Sequence, residues 1–282
     1  MLILAVQGGI TAVDLSVAAG TDITTGDTTV ITNFDRLTAT ALTTALTVTR
    51  STAANWIYLG SGNDTLDGNG GADIITTGAG NDTVTYNGTE NSIDGGTGTN
   101  TLIMKAVTNI DMRVSDITTS DLSTVSNFQN VDASALATGI TLIGSSAANV
   151  LTGTSGNDNI YSVGGSDTIV AGDGNDTVFY YGGEASIDGG IGTNTLSLYG
   201  GYTNVNLGNA DQTTGDTANV TNFINIDAHW ATANLSLTGN ASVNSITGSS
   251  GNDTIDGAGG ADSINAYGGN DTVLYRSGES AI

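Results

Sequence analysis

Oxygen-bearing side chains recur in this chain every nine residues, each two positions ahead of an aliphatic residue and set among glycines. From residue 55 the polar slot reads Asn55, Asp64, Asp73, Asp82, Asn91 and Asn100. The aliphatic slot reads Ile57, Leu66, Ile75, Val84, Ile93 and Leu102. A second file holds Asn149, Asp158, Asp167, Asp176 and Asn194, and a third Asn244, Asp253, Asp262 and Asp271. Carboxylate and amide oxygens in a regular file are ligands for a hard cation. Ca2+ suits them, since it takes about 6–8 oxygens at roughly 2.3–2.6 Å and tolerates irregular geometry, where Mg2+ wants a stricter octahedron. Zn2+ prefers nitrogen and sulfur, of which the chain offers one His and no Cys.

A nine-residue period kept this strictly is the sequence form of a chain that coils, adding one short strand and one tight turn per period. The turn supplies oxygens and the strand supplies core. Asp and Asn favour turns on their own account, but that preference does not demand strict register. The units Gly78-Ala79-Gly80-Asn81-Asp82-Thr83-Val84 and Gly95-Gly96-Thr97-Gly98-Thr99-Asn100-Thr101-Leu102 resemble the repeats-in-toxin (RTX) nonapeptide, G-G-x-G-x-D-x-U-x with U a large aliphatic, which binds calcium. The resemblance covers residues 55–102, 149–196 and 244–282. It implies a right-handed parallel β-roll with two nonapeptides per coil, Ca2+ held in the turns between coils, and export by type I secretion. Some units depart from the pattern: Leu59-Gly60-Ser61-Gly62-Asn63-Asp64 lacks the first Gly, and the fourth unit of each block has lost its Asp.

In such a roll, residues 18 apart stand one coil apart, about 4.8 Å along the axis. Asp64 then faces Asp82, Asp158 faces Asp176, and Asp253 faces Asp271. Two carboxylates at about 5 Å repel by roughly 1 kcal/mol in water and about 3 kcal/mol at an effective dielectric of 20. A row of them opposes coiling unless a cation sits between, and glycine lets turn carbonyls point inward at backbone angles that other residues avoid. Asp73, Asp167 and Asp262 fall on the other row of turns, opposite Asn55 and Asn91, Asn149 and Ala185, and Asn244 and Ser280. With less charge to neutralise, these rank second.

A longer period encloses the short one. Gly62-Asn63-Asp64 returns as Gly156-Asn157-Asp158 and Gly251-Asn252-Asp253, and Asn33-Phe34 returns as Asn127-Phe128 and Asn222-Phe223. The expected fold is therefore all-β: a parallel β-roll or β-solenoid of just under three repeats of about 94 residues, each about five 18-residue coils. It divides into a spacer half-repeat at 1–54, a calcium-type block at 55–102, a spacer at 103–148, a second block at 149–196, a spacer at 197–243 and a truncated third block at 244–282. The spacers carry Leu, Ile and Phe in fixed slots, which favours a continued solenoid without metal over a flexible linker. Met1-Leu2-Ile3-Leu4 aligns with later repeat segments and reads as repeat rather than as a targeting peptide. The chain begins and stops inside a unit, which predicts a longer array or a subunit whose ends meet neighbouring copies.

Glu90, Glu184 and Glu279 share one slot of the long repeat, as extra ligands or as solvated surface charges. Tyr86, Tyr180 and Tyr275 share another and read as a packing ladder, while His229 has no counterpart and reads as a surface residue. A net charge of −23 repels phosphate and argues against nucleic acid. Acidic, aromatic-poor chains are commonly disordered, but here 38% of residues are hydrophobic and recur in phase. Without Cys there is no disulfide framework, and metal is the substitute staple. No apolar run approaches membrane-spanning length. The expectation is a calcium-binding structural region of an extracellular or cell-surface protein, such as an adhesin stalk, coat or filament, with self-association and no catalysis. An alternative is a module attached to a secreted enzyme or toxin. Ice or glycan binding is a third, disfavoured because the threonines form no unbroken file.

Overall fold

Triplets such as Thr65-Leu66-Asp67 place one aliphatic between two polar or β-branched residues, and they form strands of two to four residues before a turn intervenes. The computed structural model describes residues 3–5, 10–14, 24–25, 35–119, 121–200 and 204–276. Every regular element among them is a β-strand, and none is a helix long and apolar enough to cross a membrane. The molecule is a parallel β-solenoid. Its described residues fall into two units, Met1–Leu136 and Ala137–Ile282.

In the first unit one sheet stacks Leu37, Ile57, Ile75, Ile93 and Val125 on one another in parallel register. The other stacks Val48, Leu66, Val84, Leu102 and Val131. All ten are buried, each contributing about 1.5–3 kcal/mol relative to exposure. The second unit repeats the arrangement, with Leu151, Ile169, Ile187 and Val220 in one sheet and Leu142, Ile160, Val178, Leu196 and Ile226 in another. The chain alternates between the sheets, so the aliphatic slot forms the core and the polar slot begins each strand from within the turn.

The spacers are solenoid and not linker, but their coils are not 18 residues long. The partner of Ile93 is Val125 and that of Leu102 is Val131, steps of 32 and 29. Ile187 pairs with Val220, a step of 33. The surplus is spent on side hairpins. Asn109–Asp111 pairs antiparallel with Thr118–Thr119, Asn204–Asn206 with Thr213–Thr214, and Ala12–Asp14 with Thr24–Thr25. One long repeat therefore contains four and a half coils rather than five. Leu37 lies in one sheet, while its counterpart 94 residues on, Val131, lies in the other.

Asn127 and Asn222 take left-handed backbone (φ 62° and 65°). Their side-chain amides donate to Asp94 and Asp188 at 2.7 Å each, while Phe128 and Phe223 are buried behind them. This explains the shared Asn-Phe slot; Asn33 and Phe34 lie outside the described residues. The tyrosine ladder is not formed. Tyr86 and Tyr180 are separate core residues, and Tyr86 Oη donates to Asp121 at 2.8 Å, pinning a block to its spacer hairpin. Tyr275 is exposed. His229 is half-buried, its Nδ1 2.6 Å from Asp227 and its ring against Trp230.

Candidate metal centre

The aspartates stand in files, one per coil, with side chains turned inward beneath the turn. Each accepts through Oδ1 a backbone N–H from the coil before: Leu46 N to Asp64 at 2.8 Å, Asp64 N to Asp82 at 2.7 Å and Asp82 N to Asn100 at 2.9 Å. Ile140, Asp158 and Asp176 donate in the same way to Asp158, Asp176 and Asn194. Leu235 and Asp253 donate to Asp253 and Asp271. On the second row Asn55, Asn149 and Asn244 donate to Asp73, Asp167 and Asp262 at 2.7–2.8 Å. The 18-residue spacing thus builds a ladder that an amide oxygen serves as well as a carboxylate.

Only the aspartates carry a second carboxylate oxygen. Among the described residues, Oδ2 of Asp82, Asp167 and Asp176 is buried with no hydrogen-bond partner, a costly state for an ionised group unless a cation meets it. Asp158 and Asp253 are different, their Oδ2 accepting from Thr154 N and Ser249 N. The residues therefore fit a hard cation, with Asp82, Asp167 and Asp176 each offering it one oxygen. Among the described residues no three His, Asp or Glu side chains converge on one point, so turn carbonyls must complete the coordination. The glycines allow this. Gly80 and Gly98 adopt φ of 133° and 128°, and a Cβ on either would strike the carbonyl oxygen stacked one coil below.

The predicted ligands fall into two groups. Asp64, Asp82, Asp73, Asp158, Asp176, Asp167, Asp253 and Asp262 are buried in the files, and Asp271 is half-buried. Asn100 and Asn194 are also rungs of the ladder, through Oδ1. Asn100 Nδ2 donates to the Gly95 and Asn127 carbonyls, and Asn194 Nδ2 to those of Gly189 and Asn222. Asn55, Asn149 and Asn244 are buried with the second row; Asn91 is exposed. Glu90 and Glu184 are not solvated: both are 2% exposed. Glu90 accepts from Asn87 N and Thr89 N, and Glu184 from Tyr181, Gly182 and Gly183 N, so each caps a tight loop from within. Glu279 lies outside the described residues.

Two features escaped the sequence reading. A second ladder runs outside the first, with Asn81 N and Thr99 N donating to Asn63 and Asn81, and Asn175 N and Thr193 N to Asn157 and Asn175. Its signal was the recurring Asn-Asp dipeptide. The other is Arg50, wholly buried and 3.0 Å from Asp73 Oδ2.

Burial pushes the carboxyls of Asp64, Asp73, Asp167 and Asp176 up to about 6, against about 3.9 for an unstrained Asp. The metal-free fold then binds more protons than the unfolded chain between about pH 4 and 6, so its stability falls as pH rises through that window. Without calcium, β-structure by circular dichroism should be greater at pH 5 than at pH 8. Calcium should bind more weakly as pH falls through 6, because protons compete for the same oxygens. A metal-free fold that strengthens from pH 5 to pH 8 would contradict this.

A parallel solenoid whose turns file buried carboxylates coil over coil, beside stacked glycine carbonyls, defines a cation-binding repeat protein. Four stretches, residues 51–84, 143–178, 164–196 and 238–273, match the RTX calcium-binding nonapeptide repeat. These stretches are RTX repeats, and the ion that family binds is calcium. No curated protein matches the chain.

Proposed function

We propose that this calcium-binding repeat region is a structural segment of a secreted or cell-surface protein, a stalk, coat or filament whose coils set and stiffen when they meet calcium outside the cell. The observation that carries this reading is the mismatch between buried negative charge and available positive charge. Several buried carboxylates present an open oxygen, while the basic side chains other than Arg50 are engaged elsewhere. Arg50, Lys105, Arg113 and Arg276 pair with Asp73, Asp67, Asp111 and Asp256, and Arg36 lies over the rings of Trp56 and Tyr58. The chain cannot neutralise itself, so its fold depends on ions from the surroundings.

The role is mechanical rather than catalytic in this reading. The single imidazole, His229, is held by Asp227 and packed against Trp230, which leaves little with which to build a general base and its partners.

The test is a titration of β-structure against free calcium. Extracellular-type sites have dissociation constants of about 10⁻⁴–10⁻³ M, and the midpoint should fall there. A midpoint near or below about 10⁻⁶ M, within reach of cytosolic calcium, would overturn the extracellular assignment.

A further inference from the structure

We propose that Arg50 is a built-in cation that stands in for the metal beside Asp73, so that this position of the first block needs no calcium while its counterpart beside Asp167 in the second block does. The inference rests on the reading that the buried acidic files take calcium.

Arg50 and Asp73 are both 0% exposed, with the guanidinium 3.0 Å from Asp73 Oδ2. Arg50 Nε reaches the Asp67 carbonyl at 3.4 Å. The guanidinium also crowds Gly68 together with Glu90 Oε1 and Asn87 Nδ2, so that a Cβ at Gly68 would meet all three. The buried Asp73 and Glu90 thus have a fixed positive charge packed between the loops that carry them. A guanidinium is permanently charged and weakly hydrated, which suits it to such a place better than an ammonium. With that charge and volume in position, a second cation has neither room nor electrostatic reason to enter.

The second block has the same frame with the cation removed. Ninety-four residues on, Gly144 stands for Arg50, Ser162 for Gly68, Asp167 for Asp73 and Glu184 for Glu90. Asp167 still accepts the coil-to-coil bond from Asn149 N at 2.7 Å, and Glu184 still caps its loop with the Ser162 hydroxyl added to its donors. The oxygen that Arg50 meets in the first block, Oδ2, is buried on Asp167 without a partner among the described residues. The two positions thus differ in whether the chain supplies its own positive charge. The third block has glycine, Gly239, at the Arg50 position and Asp262 at the Asp73 position. Arginine at this position is particular to the first block.

The consequence is an order of assembly. The Asp73 row of the first block is neutral enough to coil at calcium levels too low to close the Asp167 row, so the first block provides a ready edge on which later coils set.

Calcium bound per chain at saturation, counted by equilibrium dialysis with the metal alone, tests this on the full chain. Arg50→Gly should bind one calcium more than wild type. Gly144→Arg combined with Ser162→Gly, which recreates the Arg50–Gly68 pair, should bind one fewer. In hydrogen exchange at limiting calcium, residues 68–91 of wild type should stay protected at lower free calcium than residues 162–185, and Arg50→Gly should abolish that lead. If wild type binds calcium and neither variant changes the count, the inference is overturned and the calcium reading stands. If wild type binds none, both fall. Should Arg50→Gly fail to fold, the double variant decides alone: one equivalent lost supports the inference, and an unchanged count refutes it.

Discussion

Excess EDTA should strip the chain of most of its far-ultraviolet β signal at pH 7.5, and millimolar Ca2+ should restore it. Three carboxylate pairs, Asp64 with Asp82, Asp158 with Asp176 and Asp253 with Asp271, are joined one coil apart through backbone N–H to Oδ1 bonds. At about 3 kcal/mol for each pair at an effective dielectric of 20, their repulsion is of the order of a whole domain's stability, about 5–15 kcal/mol. The general self-repulsion of a chain at −23 adds to it. A divalent cation between coils reverses the sign of these terms. Because each coil of a solenoid is held by its neighbours, release of the acidic coils should carry the spacer coils with them. A β signature unchanged in excess EDTA would remove calcium from the account of the fold.

Much of this architecture was legible in the residues. The aliphatic slot is buried at every described block position from Ile57 to Leu102, because a strand of three residues has one inward side chain and the nine-residue period puts an aliphatic there each time. Parallel register at 18 residues followed from the two nonapeptides per coil that the RTX resemblance implies, and Thr65 does pair with Thr83 and Thr83 with Thr101. What the short period could not show was anything out of phase with it. The side hairpins repeat as Asp116-Ile117-Thr118-Thr119-Ser120-Asp121 and Asp211-Gln212-Thr213-Thr214-Gly215-Asp216. These recur once per long repeat, so they passed as ordinary coil and the coil count came out half a turn high.

The charged residues were the harder part. Glutamate is rarely fully buried, so Glu90 and Glu184 read as extra ligands or as solvated surface charges, not as buried caps. Their burial depends on backbone N–H groups that converge only once the loop has closed. Arg50 has no counterpart in the other copies and so carried no repeat signal; only its contact with Asp73 reveals it. The Asp and Asn slot, read as a file of ligands, has a second role. At Asp64, Asp82, Asn100, Asp158, Asp176 and Asn194 the side-chain oxygen is a rung of the backbone ladder, a role that asparagine fills as well as aspartate.

That double role makes Asp82 the position where substitution should have the largest effect and be most informative. Asp82 Oδ1 accepts from Asp64 N at 2.7 Å, while its Oδ2 is buried without a partner. Asp82→Ala removes both functions and leaves Asp64 N–H buried and unsatisfied, at a cost of about 1.5–3 kcal/mol for a hydrogen bond to a charged group, together with at least one bound calcium. Asp82→Asn keeps the rung, as Asn100 does one coil on, and removes only the charged oxygen. It should lose calcium as Asp82→Ala does, yet coil at least as well as wild type in metal-free buffer, since a buried repulsion is gone. Asp132→Ala is the control: that spacer carboxylate accepts from Ser134 N at 2.9 Å, at the surface. It should leave bound calcium unchanged and stability within about 0.5 kcal/mol. Calcium counts and denaturant midpoints with and without metal separate the three variants. If Asp82→Asn binds as much calcium as wild type, Asp82 is a ladder residue alone. If Asp132→Ala loses as much as Asp82→Ala, the files are not where the metal binds.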